Sequence, residues 1–235
     1  MEQASRWILF VAHWVAGLDG AVTPIPAPGP WVVPLFTLGA LWAILWRGWG
    51  RAAGAGPVVA ALVLWMMADR PALLISNDGR LAGLWGAEGR ALSTPKGAGF
   101  AADSWLQNDG DLAGQQTAAA RPGFSGPKDA RRFTLGGRRG VVLTGSKAAG
   151  RAAQACRDVE IVIVADRVDP APAGPCLLID RAFLRKSGAL ALTIDGETLR
   201  LVPSRQAERL WAGEAPALPD IRLPPPQPVL AVAAQ

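Results

Sequence analysis

The sequence predicts membrane α-helices followed by an α/β domain, on three observations. The 235 residues divide by charge: positions 1–68 carry three Lys/Arg, two Asp/Glu and seven of the ten tryptophans (Trp7, Trp14, Trp31, Trp42, Trp46, Trp49, Trp65). Long apolar runs in that part give way after Pro71 to the two-residue alternation of strands. Strand-like and helix-like runs then take turns, the pattern of a mixed sheet with flanking helices. The boundary falls at Ala68–Pro71, which gives a membrane segment at 1–70, a soluble α/β domain at 71–213 and a proline-rich tail at 214–235.

In the first part, RWILFVAHWVAGL (6–18) is apolar, carries His13 and runs into TPIPAPGP. It has neither a basic leading region nor a small-residue cleavage site, so it reads as a helix within or along a bilayer and not as a signal peptide. WVVPLFTLGALWAILW (31–46) has Trp at both ends and stops at Arg47, as a spanning helix with interfacial rings does. At 1.5 Å per residue it covers about 24 Å, short for a bilayer unless Arg47 snorkels. PVVAALVLWMMA (57–68) reaches spanning length only if the Ala/Gly run from Ala52 joins it. Arg47 and Arg51 lie between these two helices, and positive-inside bias holds their loop in the cytoplasm. The third helix then exits outward and leaves the soluble domain on the external face, with Arg70 opposing that orientation.

In the second part, ALLIS (72–76) and RLAGLW (80–85) flank Asn77-Asp78-Gly79, a hairpin signal because Gly accepts positive φ. ALALTI (189–194) and ETLRLV (197–202) flank Asp195-Gly196 in the same way. Between the hairpins the pattern gives a helix at 103–109, a Gly/Ala/Pro-rich loop to Gly126, a strand at 141–143, a helix at 148–156, a strand at 160–166 and a helix at 181–188. A last helix is expected at 204–211, followed by an extended or disordered tail.

The net charge of +5 comes mostly from arginine. Seven cations (Lys128, Arg131, Arg132, Arg138, Arg139, Lys147, Arg151) lie between 128 and 151 against the single acid Asp129, a pattern that suits either DNA phosphates or a solvated face. Only Phe133 is interleaved with them, so no base-stacking platform is legible. Cys156 and Cys176 match no zinc spacing; they are either two buried thiols or a disulfide closing a loop of about 20 residues, the latter worth roughly 3 kcal/mol. Within VVLTGSKAAGR (141–151), the Lys follows Ser, so the G-x-x-x-x-G-K-[ST] order that cradles phosphates is absent. Adjacent Ser and Lys on a turn seldom face one another as nucleophile and base. No cofactor motif appears.

The order of membrane helices, basic loop, strand–Gly-Ser-Lys–helix and GALALTIDGETLRL resembles the C-terminal part of the ComEC/Rec2 family of competence proteins, which carry DNA across the bacterial inner membrane. In many members a metallo-β-lactamase-like domain has a strand followed by His-His-Gly-Ser-Lys; here Leu143-Thr144 stand where those histidines belong. RPALLISNDGRLAGL (70–84), DSWLQNDGD (103–111) and CLLIDRAFLRKSGALAL (176–192) are similar to the alphaproteobacterial version, whose domain has lost its metal site. The resemblance covers most of residues 30–202 and implies a degenerate metallo-β-lactamase-like mixed sheet with flanking helices, on the periplasmic face of the inner membrane. It also implies that most of the channel helices lie outside this chain, which by itself is not expected to conduct DNA.

A dinuclear hydrolase of that fold needs about five His plus Asp to hold the ions that generate hydroxide. The chain has one His, in the membrane segment, and Asp78, Asp109, Asp111, Asp180 and Asp195 do not replace the missing ligands. Neither nuclease nor lactamase activity is expected. The expected role is a non-catalytic domain that contacts DNA phosphates weakly and without sequence preference through the 128–151 cations, in company with lipid and other competence-system envelope proteins. The alternative is a bilayer-tethered structural module with no DNA binding; an enzyme ranks third, for want of a recognisable nucleophile.

Overall fold

The computed structural model describes residues 2–18, 23–172, 174, 176–196, 198–205 and 221–222. Helix α1 (Glu2–Ala16) is exposed along its whole length, with Trp7, Phe10 and Trp14 facing outward. Helix α2 (Val32–Leu45) is followed by a 3₁₀ turn (Trp49–Gly54) that runs into α3 (Ala55–Met66), so the Ala/Gly run does extend the third apolar segment. Trp49–Met66 is long and apolar enough to cross a membrane; α2 is a shorter apolar helix. The two form an antiparallel hairpin whose crossing point is Gly39 against Gly54. A Cβ on Gly39 would lie 2.6 Å from the Gly54 carbonyl oxygen, and one on Gly54 2.5 Å from that of Gly39. Small residues at such a crossing let backbones approach closely, as they do between lipid-embedded helices. The Trp42 and Trp46 rings stack at 4.4 Å, and the Trp42 indole donates to the Gly50 carbonyl at 3.1 Å.

The remaining chain is an α/β domain of two sheets. The first contains β1 (Leu73–Ile75), β2 (Ala82–Gly86), β3 (Gly89–Leu92), β8 (Leu190–Asp195), β9 (Thr198–Pro203) and β10 (Ile221–Arg222), in the order β10-β9-β8-β1-β2-β3 and antiparallel throughout. The second contains β4 (Ala130–Leu135), β5 (Arg138–Leu143), β6 (Ile161–Val164) and β7 (Leu177–Ile179); β4 is antiparallel to β5, and β5, β6 and β7 are parallel. The inner faces meet in one core: Leu73, Ile75, Leu84, Leu190, Leu192, Leu199 and Leu201 from the first sheet, and Phe133, Leu135, Val142, Ile161, Ile163 and Ile179 from the second.

Helices cover both outer faces. On the first sheet α4 (Gly99–Asn108) and α5 (Gln115–Ala120) bury Ala102, Leu106 and Ala118 against Leu81 and Leu92. On the second, α6 (Ala148–Asp158) lays Ala148, Ala152 and Cys156, spaced four residues apart, onto Val141, Leu143, Val162 and Val164. That spacing places small side chains on one helical stripe and lets α6 lie close to the sheet. Helix α7 (Arg181–Ser187) starts at Asp180, whose carboxylate accepts from the Phe183 amide at 2.8 Å as an N-cap, and ends at Gly188. Cys156 and Cys176 form a disulfide, Cα–Cα 5.1 Å, which ties α6 to the start of β7 and decides between the two thiol states.

Both Asp-Gly hairpins and the helices near 103, 148 and 181 stand where the pattern puts them. Strands β3, β4 and β7 and helix α5 were not expected. The largest departure is β4–β5: the strand expected at 141–143 begins at Arg138 and pairs with β4 about Gly136-Gly137, both at positive φ, 56° and 78°. Four arginines in this hairpin mask the apolar alternation: Arg131 and Arg132 lie on the edge strand β4, where charge is tolerated wherever the side chain reaches solvent or a partner, and Arg138 and Arg139 on its neighbour β5. Of the helix expected at 204–211, residues 206–211 lie outside the described residues. Of the tail, only Ile221–Arg222 is described, and it pairs with β9 as an extended segment.

Candidate functional site

Gly-Ser-Lys forms the turn that carries β5 into α6. Leu143 is buried under α6, Gly145 has φ +87°, and the Ala148 amide closes the turn onto the Gly145 carbonyl at 3.0 Å. Thr144 is tied on three sides: its amide donates to Asp129 O at 3.0 Å, its hydroxyl to Lys128 O at 3.2 Å, and its carbonyl accepts from Arg151 at 3.1 Å. The motif is a strand-to-helix turn, with Lys147 exposed at the start of α6.

The seven cations do not share a face. Arg131 donates from Nε to Ser93 O at 3.1 Å and from a terminal nitrogen to Gly126 O at 3.0 Å, which bridges the end of β3 to β4 across the two sheets. Arg151 grips Asp129 at 2.6 Å and two backbone carbonyls. Arg138 is buried, and Arg139 pairs with Glu160 at 3.6 Å. Lys128, Arg132 and Lys147 face solvent. Arg131 and Arg151 therefore spend their donors on backbone carbonyls and Asp129, and Arg138 is buried, so run length along the sequence overstates the charge offered to a ligand.

Two clefts flank the parallel strands. At the amino ends of β5 and β6, a cleft of about 870 Å³ is rimmed by Arg132, Arg139 and Arg157 over Phe124 and Phe133. At the carboxyl ends, where Leu143 and Val164 close their strands, a cleft of about 540 Å³ opens between the sheets. Ligands of open α/β sheets bind at that end, because strand-to-helix turns there present backbone and side chains without long loops. Its cations are Arg80, Lys96, Lys128 and Arg131, its carboxylates Asp78 and Asp166, and Thr144 and Ser146 add hydroxyls. Arg80, Lys96 and Arg157 are not legible in the sequence because each stands alone in its own segment; only the packing of the two sheets brings the first two around the same cleft as Lys128.

Among the described residues no three His, Cys, Asp or Glu side chains gather as a metal ion requires. Four of the five acids weighed earlier have structural partners. Asp78 accepts from Ser76 Oγ at 2.5 Å and the Arg80 amide at 3.1 Å inside the first hairpin turn. Asp109 holds the fully buried Arg90, Asp111 holds Arg121, and Asp180 caps α7. Asp195 ends β8 at the hairpin turn. His13, the single His, lies in α1 with Nδ1 2.7 Å from Leu9 O. No family model, curated protein or solved structure matches the chain.

Proposed function

We propose that this chain is the membrane-anchored terminal segment of a competence-type DNA-uptake protein, whose lactamase-like outer domain holds DNA phosphates and does not cut them. The observation that supports the reading is positional: the strand–Gly-Ser-Lys–helix turn stands at the carboxyl edge of a two-sheet domain with helices on both outer faces, and Leu143-Thr144 precede it where the family resemblance would put two ligating histidines. Sidedness draws on two features, the basic Arg47/Arg51 loop and the Cys156–Cys176 disulfide, which persists in an oxidising compartment such as the periplasm. Trp49–Met66 supplies the anchor, with α2 packed along it.

Retention on DNA tests this. With three or four phosphate contacts to a single strand, log K should fall against log salt with a slope of about −2 to −3. Retention should also be indifferent to sequence, and no cleavage should follow addition of Mn²⁺ or Zn²⁺. Chelator-sensitive cleavage would overturn the non-catalytic reading. The internal engagement of Arg131, Arg138 and Arg151 favours a second reading, a tethered module that docks another envelope protein; salt-independent failure to retain DNA selects it.

A further inference from the structure

We infer that the cleft at the carboxyl ends of β5 and β6 is a phosphate site, built from Arg80, Lys96 and Lys128, and that it anchors a single DNA strand through one phosphomonoester or phosphodiester group. The inference deepens the DNA-holding reading and rests on it for the identity of the strand. The three cations come from three loops far apart in sequence, and each loop is fixed by side-chain bonds to backbone. Arg80 follows the turn held by Ser76 and Asp78. Lys96 lies in a loop clamped by Gln115, which donates to Thr94 O at 3.1 Å and Gly97 O at 2.6 Å, and closed by Thr94 Oγ1 donating to Lys96 O at 2.9 Å. Lys128 sits in the loop held by Thr144 and by Arg151 through Asp129. Like-charged groups carried on fixed backbone around one cleft repel one another, and an anion between them removes that cost.

The ligand class follows from what else lines the cleft. Arg131 forms part of its wall but is engaged by Ser93 O and Gly126 O, so its charge contributes while its donors are largely used. Against four cations stand Asp78, itself held in its turn, and Asp166. No aromatic side chain lines the space, so bases gain no stacking and recognition goes through phosphate, consistent with sequence-indifferent binding. At about 540 Å³ the cleft is of small-ligand size, which admits a nucleotide or a strand end and excludes a duplex.

The test is binding of thymidine monophosphate and of a 5′-phosphorylated hexathymidine to the full chain in detergent micelles at low salt. Arg80→Ala and Lys96→Ala should each weaken both ligands about tenfold, as expected for a lost charge-assisted contact. Lys186→Ala and Arg200→Ala, exposed and outside both the cleft and the 128–151 cations, should change them less than twofold. Asp166→Asn should tighten both, a gain that misfolding cannot produce. Strand binding that weakens equally at Lys186, Arg200, Arg80 and Lys96 overturns the cleft and leaves DNA holding intact. Mononucleotide binding that depends on Arg80 and Lys96, with no strand retained, keeps the phosphate site and overturns the DNA reading. Binding of neither ligand overturns both.

Discussion

At the scale of single residues, charge in this domain serves structure as often as it meets solvent. Arg90 on β3 is fully buried; its guanidinium takes both oxygens of Asp109, donates to Gly83 O at 3.1 Å and lies 5.4 Å from the Trp85 ring centroid. Removing one partner of such a pair strands the other without water, so Arg90→Ala should cost about 3–5 kcal/mol, while Arg90→Met with Asp109→Leu should recover much of it. Chemical denaturation of the three proteins checks this, and equal loss in both variants would sink it. Nearby, Asp111 has its pKa held below the ordinary carboxylate value, chiefly by the hydrogen bond from Arg121; burial opposes this, and the Ala113 amide and the Arg121 charge lower it further. A depressed folded pKa gives stability that is complete above the unfolded value near pH 4 and is lost as pH falls through the folded value. Arg121→Gln should therefore lower stability at pH 7 and flatten its decline below about pH 4, which melting curves across that range will report. Neither ion pair was legible in the sequence: nothing in a linear pattern links Asp109 and Asp111 to Arg90 or Arg121, 19 and 10 residues away.

Among the elements, turns were legible and partners were not. Asp-Gly marks both expected hairpins because their chemistry is local, and Gly79 and Gly196 do adopt positive φ, 69° and 56°. The Gly136-Gly137 hairpin obeys the same rule, but Arg131, Arg132, Arg138 and Arg139 hid its strands behind a charge run that reads as surface. Helix α6 was legible at 148–156 from the alternation of strand-like and helix-like runs, but its tie to β7 through the disulfide was not, because that strand of three residues is too short to register as a pattern. Closing a loop of about 20 residues restricts the unfolded chain by roughly 3 kcal/mol. Cys156→Ser with Cys176→Ser should lose that amount, and reduction of the native protein should lower its melting temperature similarly while leaving the double variant unmoved. A reductant-insensitive melting curve would show that the link contributes nothing to stability.

Over the whole molecule, the change from apolar helices to strands after α3 was legible because composition changes there, whereas the two-sheet arrangement was not. Its central pairing, Leu73 with Leu192, joins ends of the domain, and alternation tells which face a strand buries without telling against what. Equally hidden was the means by which the apolar hairpin meets the domain. The proline-rich segment after α1 docks between them: the Ala27 amide donates to Asn108 O at 2.8 Å, and the Trp65 indole of α3 donates to Pro26 O at 2.9 Å. Arg70 adds a bond to Asn108 O at 3.3 Å. Gly110 permits this approach twice over, since φ is +75° and a Cβ there would stand 2.8 Å from the Pro26 nitrogen. Gly110→Val should therefore expel the segment, and Trp65→Phe, which removes only the indole donor, should loosen it from the other side. Hydrogen exchange at the Ala27 amide reads the outcome: at least about a tenfold faster exchange in both variants, with β5 and β6 amides unchanged, because the docked strap opens locally while the core stays closed. Unaltered protection at Ala27 in both would mean that the domain is held to the helical hairpin by contacts other than this strap.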